Sequence, residues 1–130
     1  MDATEIEAKM LSRKLGNLEY NMYAYRATLD KIRIDLNYYR YVTSRLRKTL
    51  KFLKRKEVVV SINEYKKVVG ELRRSTQRVE YFFRERSRVL RMLSDAEARY
   101  SKLEQRYAEV ERTLRNRKVI LIFRAKQEEK

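Results

Sequence analysis

The chain is 130 residues long, carries a net charge of +15 with 39% charged residues, and contains no Pro, Cys or His and only two Gly. The near absence of helix breakers predicts one domain over residues 1–130 made of long uninterrupted helix. The missing Cys and His exclude disulfides, thiolate and imidazole chemistry and the common zinc sites together.

In chain order, residues 1–9 are acidic and lack the apolar stretch of a secretory signal. An apolar seam then runs through Leu11, Leu15, Leu18, Met22, Tyr25, Leu29, Ile32, Leu36, Tyr39, Thr43, Leu46, Leu50 and Leu53, in alternating steps of four and three. That period predicts a first helix over about 3–55 that packs along its length against another helix. Beside the seam, Arg26, Arg33, Arg40, Arg47 and Lys54 repeat every seven residues and form a cationic ridge.

The period breaks at Val58, Val59 and Val60, three β-branched residues that predict a short strand over 57–60. Ser61 and Glu64 then form an S-x-x-E capping box, with Val60 and Tyr65 as its hydrophobic staple, which starts a second helix over about 62–116. Its seam is Tyr65, Val68, Leu72, Ser75, Val79, Phe82, Arg86, Val89, Leu93, Ala96, Tyr100, Leu103, Tyr107, Val110 and Leu114. Arg86 is out of place there, and it reads as a snorkelling or paired arginine. Ser94 and Glu97 repeat the S-x-x-E pattern, but the seam passes through Leu93 and Ala96 without a slip, which favours an unbroken helix.

A flanking apolar row of Val69, Phe83 and Leu90 widens the stripe of helix 2 beyond what one partner helix needs. The run Val119, Ile120, Leu121, Ile122, Phe123 is apolar on both faces and predicts a short buried strand over 118–123, followed by a frayed tail over 124–130. The expected fold is all-α with two very short strands: a long antiparallel coiled-coil hairpin. It assembles as a helical-bundle homo-oligomer, a dimer or higher, through Val69, Phe83, Leu90 and the 119–123 run.

Charge is uneven along the chain. Residues 36–91 hold seventeen basic groups against five acidic ones, and residues 36–56 hold eight basic groups and no acid. The row Glu97, Glu104, Glu111 is expected to pair with Arg13, and Arg99, Lys102 and Arg106 with Glu97, Glu104 and Glu109, so the rest of the hairpin reads as internally neutralised. An unneutralised cationic surface calls for an anionic partner. The expected function is non-enzymatic binding of nucleic acid, DNA in preference to RNA, through the phosphate backbone without sequence specificity. An accessory role in DNA replication, recombination, repair or packaging would fit.

The residues expected to carry this are Arg33, Arg40, Arg45, Arg47, Lys48, Lys51, Lys54, Arg55, Lys56, Lys66, Lys67, Arg73 and Arg74, with Tyr38 and Tyr41 as candidates for base stacking. The alternative is an adaptor or scaffold whose basic face docks on an acidic protein partner. Carboxylates fall in ion-pair rows rather than converging pairs and no glycine-rich loop is present, so neither catalysis nor a cofactor or metal is expected. The longest apolar runs are far shorter than the roughly 20 residues a membrane span needs, so a soluble protein of the cytoplasm or nucleoid is expected.

Overall fold

The computed structural model describes residues 2–55 and 62–128. They form two helices that pack against each other as a hairpin, α1 (Ala3–Lys54) and α2 (Ile62–Glu128). Lys56, the expected strand over 57–60 and Ser61 of the capping box lie outside the described residues, as does the end of the tail.

Helix α1 begins where Asp2 caps it. The Asp2 carboxylate accepts a hydrogen bond from the Glu5 backbone N–H at 2.9 Å, and the Asp2 carbonyl accepts one from Ile6 at 3.1 Å. This satisfies a donor that would otherwise lack a partner at the helix start and places negative charge at the positive end of the helix dipole. At the other end, the Arg55 N–H bonds to the Phe52 carbonyl at 3.1 Å, a three-residue closure that tightens the last turn.

The packing divides into two units, one formed by Met1–Ala24 with Met92–Lys130 and the other by Tyr25–Arg91. In the first, Leu11, Leu15, Met22, Ala96 and Val110 are buried; in the second, Ile32, Leu36 and Val89 are. Every expected seam residue of α1 is buried or half-buried, and on α2 only Arg86 stands exposed, with no carboxylate within ion-pair distance among the described residues. Its long stem leaves the seam toward solvent, the behaviour expected of an arginine that finds no internal partner.

The Tyr25–Arg91 unit contains a polar layer. Thr43 and Ser75 are 6% and 5% exposed, and their hydroxyls lie 2.5 Å apart across the helix pair. Thr43 Oγ1 donates to the Tyr39 carbonyl at 2.7 Å, which leaves Ser75 to donate across the pair; Ser75 Oγ also lies 3.3 Å from that carbonyl. One such layer in an apolar seam penalises any slip of the two helices, because a shifted register would bury both hydroxyls without partners.

The expected strand over 118–123 is overturned: α2 runs through it and through residues 124–128, which were expected to fray. No strand occurs among the described residues. Val119, Ile120, Leu121, Ile122 and Phe123 are therefore not buried strand residues but exposed helical ones, between 50% and 64% accessible. The physical reason is that β-branched residues cost a growing helix only a few tenths of a kcal/mol each, and without Gly or Pro the cooperative ladder has nothing to stop it. Arg117 also ties this end down, donating to Asp2 at 2.6 Å. The S-x-x-E at Ser94 is likewise no break, since α2 is continuous there.

Candidate nucleic-acid interface

The candidate site lies in the Tyr25–Arg91 unit, which holds twenty basic and seven acidic residues, a net charge of +13. On α1 the heptad row Arg26, Arg33, Arg40, Arg47, Lys54 places a cation every 10.5 Å or so along one face. Arg33 has Asp30 at 3.9 Å, a loose contact between two exposed side chains. Arg40, Arg47 and Lys54 have no carboxylate within ion-pair distance among the described residues.

Four of the expected binding residues converge on one groove. Arg40, Arg47, Lys48 and Lys51 line a depression of about 470 Å³ together with Thr43, Ser44, Thr76, Val79 and Phe83, and no acidic residue lines it. The floor is shaped by seam-flanking residues of both helices. Phe83 stands under Arg40, whose guanidinium carbon is 5.5 Å from the ring centroid, a cation–π contact that fixes where that guanidinium sits. Phe83, expected in a self-association row, is also a wall of the cationic groove.

Ser44 and Thr76 are also in that groove although neither is among the residues expected to bind. Helical phase could have found Ser44, four residues after Arg40 and three before Arg47. Thr76 belongs to the α2 row with Val69, Phe83 and Leu90 that a hairpin sets opposite the Arg26–Lys54 ridge. Hydroxyls among guanidinium and ammonium groups supply neutral donors to an oxyanion whose charge the cations balance.

The remaining expected residues are not gathered there. Arg74 lies in a second depression, with Arg78, Tyr39, Val42, Leu46 and Ser75, and that one includes a carboxylate, Glu71. Arg45, Lys54, Arg55, Lys66, Lys67 and Arg73 are exposed and have no ion-pair partner among the described residues. Lys66 and Arg73 are seven residues apart on one face of α2, and Lys67 and Arg74 on the next.

Aromatic side chains are tied into the same unit. Tyr39 stacks on Phe82 across the helix pair with centroids 5.7 Å apart and 23° between planes. Tyr38 meets Tyr39 edge-on at 5.2 Å, and Tyr81 meets Phe82 edge-on at 5.3 Å. Tyr38 and Tyr41 are 60% and 63% exposed, so neither of the two stacking candidates is consumed by the core.

The other unit is organised differently. Carboxylates of α1 meet donors of α2: Glu7 accepts from Arg106 at 2.8 Å, Glu19 from the Tyr100 hydroxyl at 2.7 Å, and Asp2 from Arg117. The Glu19 contact raises the Tyr100 pKa above its ordinary 10.0, and the Glu5 backbone bond, helped by Arg117, holds the Asp2 carboxyl below its ordinary 3.8. The expected pairing through Arg13 is not what joins the helices, since Arg13 has no carboxylate partner among the described residues. Arg106 also reaches Glu109 at 3.3 Å, as expected, but Arg99 and Lys102 have no carboxylate within ion-pair distance among the described residues; they line a depression with Lys14, Asn17, Leu18 and Leu103. The expectation for Arg99 and Lys102 failed because it was drawn along α2 alone, and that for Arg13 because the sign of the cross-helix pairing is set by which side chains the register brings opposite.

Among the described residues no group of three or more Asp or Glu converges as a metal site would need, and no helix is long and apolar enough to cross a membrane. No protein family, no curated protein and no solved structure matches the chain.

Proposed function

We propose that this protein is a non-enzymatic nucleic-acid-binding protein that holds the phosphate backbone, DNA in preference to RNA, on the Tyr25–Arg91 unit without reading sequence. The observation that supports this reading best is the groove in which Arg40, Arg47, Lys48 and Lys51 stand with Ser44 and Thr76 and no lining carboxylate. A structural role as ion pairs would require carboxylate partners, and none lies within ion-pair distance of these four cations among the described residues. Phosphates release counterions when such cations bind them, which is the sequence-independent part of nucleic-acid affinity. An accessory role in replication, recombination, repair or packaging fits a binder of this kind, and a cytoplasmic or nucleoid location follows from that reading.

The test is fluorescence anisotropy of a labelled duplex over a salt series. Log affinity should fall with log salt by about 0.9 per phosphate neutralised, giving a slope near −4 for the four groove cations and steeper if the exposed ones contribute. Failure to bind at low salt would sink the proposal and leave an acidic protein as the partner of this face.

Self-association of the helices as a coiled-coil oligomer belongs to the same proposal, but its surface is better placed at Val119, Ile120, Leu121, Ile122 and Phe123 than at Val69, Phe83 and Leu90. The unit holding 119–123 has thirteen basic and eleven acidic residues, whereas copies meeting at Phe83 would set +13 against +13. Sedimentation of the chain with Ile120→Lys and Phe123→Lys should show a lower oligomer than the parent; an unchanged one rejects this surface.

A further inference from the structure

The face of α1 turned away from α2 carries its own periodic stripe. Ile34, Tyr38, Tyr41, Arg45, Lys48 and Phe52 follow one another in steps of four, three, four, three and four. Each of the first three and Phe52 lies two positions before or after a seam residue, about 200° round the helix, so the stripe looks out on solvent. Ile34, Tyr38, Tyr41 and Phe52 are 64%, 60%, 63% and 55% exposed. Large apolar side chains concentrated this way on one face of a highly charged protein mark a contact surface rather than scattered exposure.

Charge decides what covers it. Arg45 stands in the middle of the stripe and Lys48 where the stripe borders the groove, both without an ion-pair partner among the described residues, and the unit around them is at +13. A second copy would bring those cations against their own kind, and an apolar helix would desolvate them with no compensation. A partner that is anionic and also offers flat π faces satisfies both kinds of side chain at once. Resting on the proposed nucleic-acid function, we infer that this outer stripe is a stacking track for single-stranded nucleic acid, with Tyr38, Tyr41 and Phe52 against bases and Arg45 and Lys48 on the phosphates between them.

Tyr38 is prepared for this role by its neighbours. Its ring is braced edge-on by Tyr39, which is itself stacked on Phe82 of the other helix, so the exposed ring is positioned by half-buried ones. A ring held in place loses less conformational freedom when a base settles on it. Duplex DNA, with its bases already stacked inside, can use the cations of this face but not its rings. The strand preference therefore resides in the aromatic residues and the bulk affinity in the cations.

The experiment compares the parent chain with the triple variant Tyr38→Ala, Tyr41→Ala, Phe52→Ala, and with Tyr38→Phe, Tyr41→Phe, against a labelled oligothymidine and a labelled duplex. Because all three side chains are exposed, circular dichroism should report unchanged helicity. The alanine variant should lose at least tenfold in oligothymidine affinity and less than twofold in duplex affinity, while the phenylalanine variant keeps both. Equal losses on the two ligands, or no loss on either, overturn the stacking track while leaving backbone binding intact. If the parent binds neither oligonucleotide at low salt, the underlying nucleic-acid reading fails first. If instead the alanine variant sediments as a smaller species with oligothymidine affinity unchanged, the stripe is a protein contact and the inference is wrong.

Discussion

The two units are built from the same pair of helices but hold them together by opposite means. In the unit of Met1–Ala24 with Met92–Lys130, polar side chains reach across the pair: Glu7 to Arg106, Asp2 to Arg117, Glu19 to Tyr100. In the Tyr25–Arg91 unit the helices meet through contacts that use no carboxylate: the Thr43–Ser75 layer, the Tyr39–Phe82 stack and the Arg40 guanidinium over the Phe83 ring. Cohesion that does not use ion pairs leaves charge available for a ligand. A unit at +13 has to be held by hydrogen bonds and packing, because an arginine spent on an internal carboxylate is no longer available to an external anion.

The sharpest way to break this contrast is a matched removal of three charges from each unit. Arg40→Gln, Arg47→Gln and Lys51→Gln should lower duplex affinity about a hundredfold at low salt and reduce the salt slope by about 2.7, because three phosphate contacts are lost. Arg106→Gln, Arg115→Gln and Arg117→Gln remove the same charge from side chains already engaged by Glu7 and Glu109, Glu111 and Asp2. They should change the slope by well under one. Equal effects would mean that the protein binds through its total charge and that the groove has no special standing.

A smaller effect is expected from the neutral layer. Thr43→Val strips the Ser75 hydroxyl of its best partner in a buried site and should cost about 1–2 kcal/mol in urea unfolding. Adding Ser75→Ala should recover most of that loss, since removing both hydroxyls leaves nothing unsatisfied. The double variant tests register: it should be close to the parent in stability yet show broader side-chain resonances around Tyr39 and Phe82, because the slip penalty is gone. Additive losses would show that the two hydroxyls do not act as a pair.

How far the sequence discloses this structure follows the range of the interactions involved. Both seams were legible, Thr43 and Ser75 included, because helical period is a local property repeated over many turns. Arg86 was recognisable as misplaced for the same reason. What was not legible depends on register or on competition. The 119–123 run is ambiguous because an apolar segment of five residues satisfies a strand and a helix equally, and the helix already growing through residue 116 decided the outcome. Arg99 and Lys102 gain carboxylates only by spacing along one helix, and Arg13 only by an assumed register across two, while the real pairing is set by the register the structure adopts. Most of the groove is legible: Arg40 and Arg47 from the heptad row, Lys48 and Lys51 from the run without acids, and Thr76 and Phe83 from the α2 row opposite the ridge, whereas Ser44 and the cation–π seat of Arg40 are first seen in the structure.

The smallest expected effect separates the units by pH. Asp2 is held below its ordinary 3.8, so its contribution is fully present above that value and is lost as pH falls through the lowered folded value. Tyr100 is held above its ordinary 10.0, so its bond to Glu19 contributes fully below that value and is lost as pH rises through the raised one. The unit containing both should therefore loosen at each extreme. The Thr43–Ser75 layer has no carboxylate to protonate, and although Glu85 is also held low by Arg88, that pair lies within one turn of α2 and does not join the helices. Amide hydrogen exchange, corrected for the intrinsic pH dependence, should show opening around residues 3–24 and 92–117 rise more than around 30–50 as pH drops below 3.8. Asp2→Asn keeps a capping oxygen but removes the charge, so it should flatten that acid response, and Tyr100→Phe should flatten the alkaline one. If residues 30–50 opened equally in acid, or if Asp2→Asn left the response unchanged, the carboxylate ties would not be what distinguishes one unit from the other.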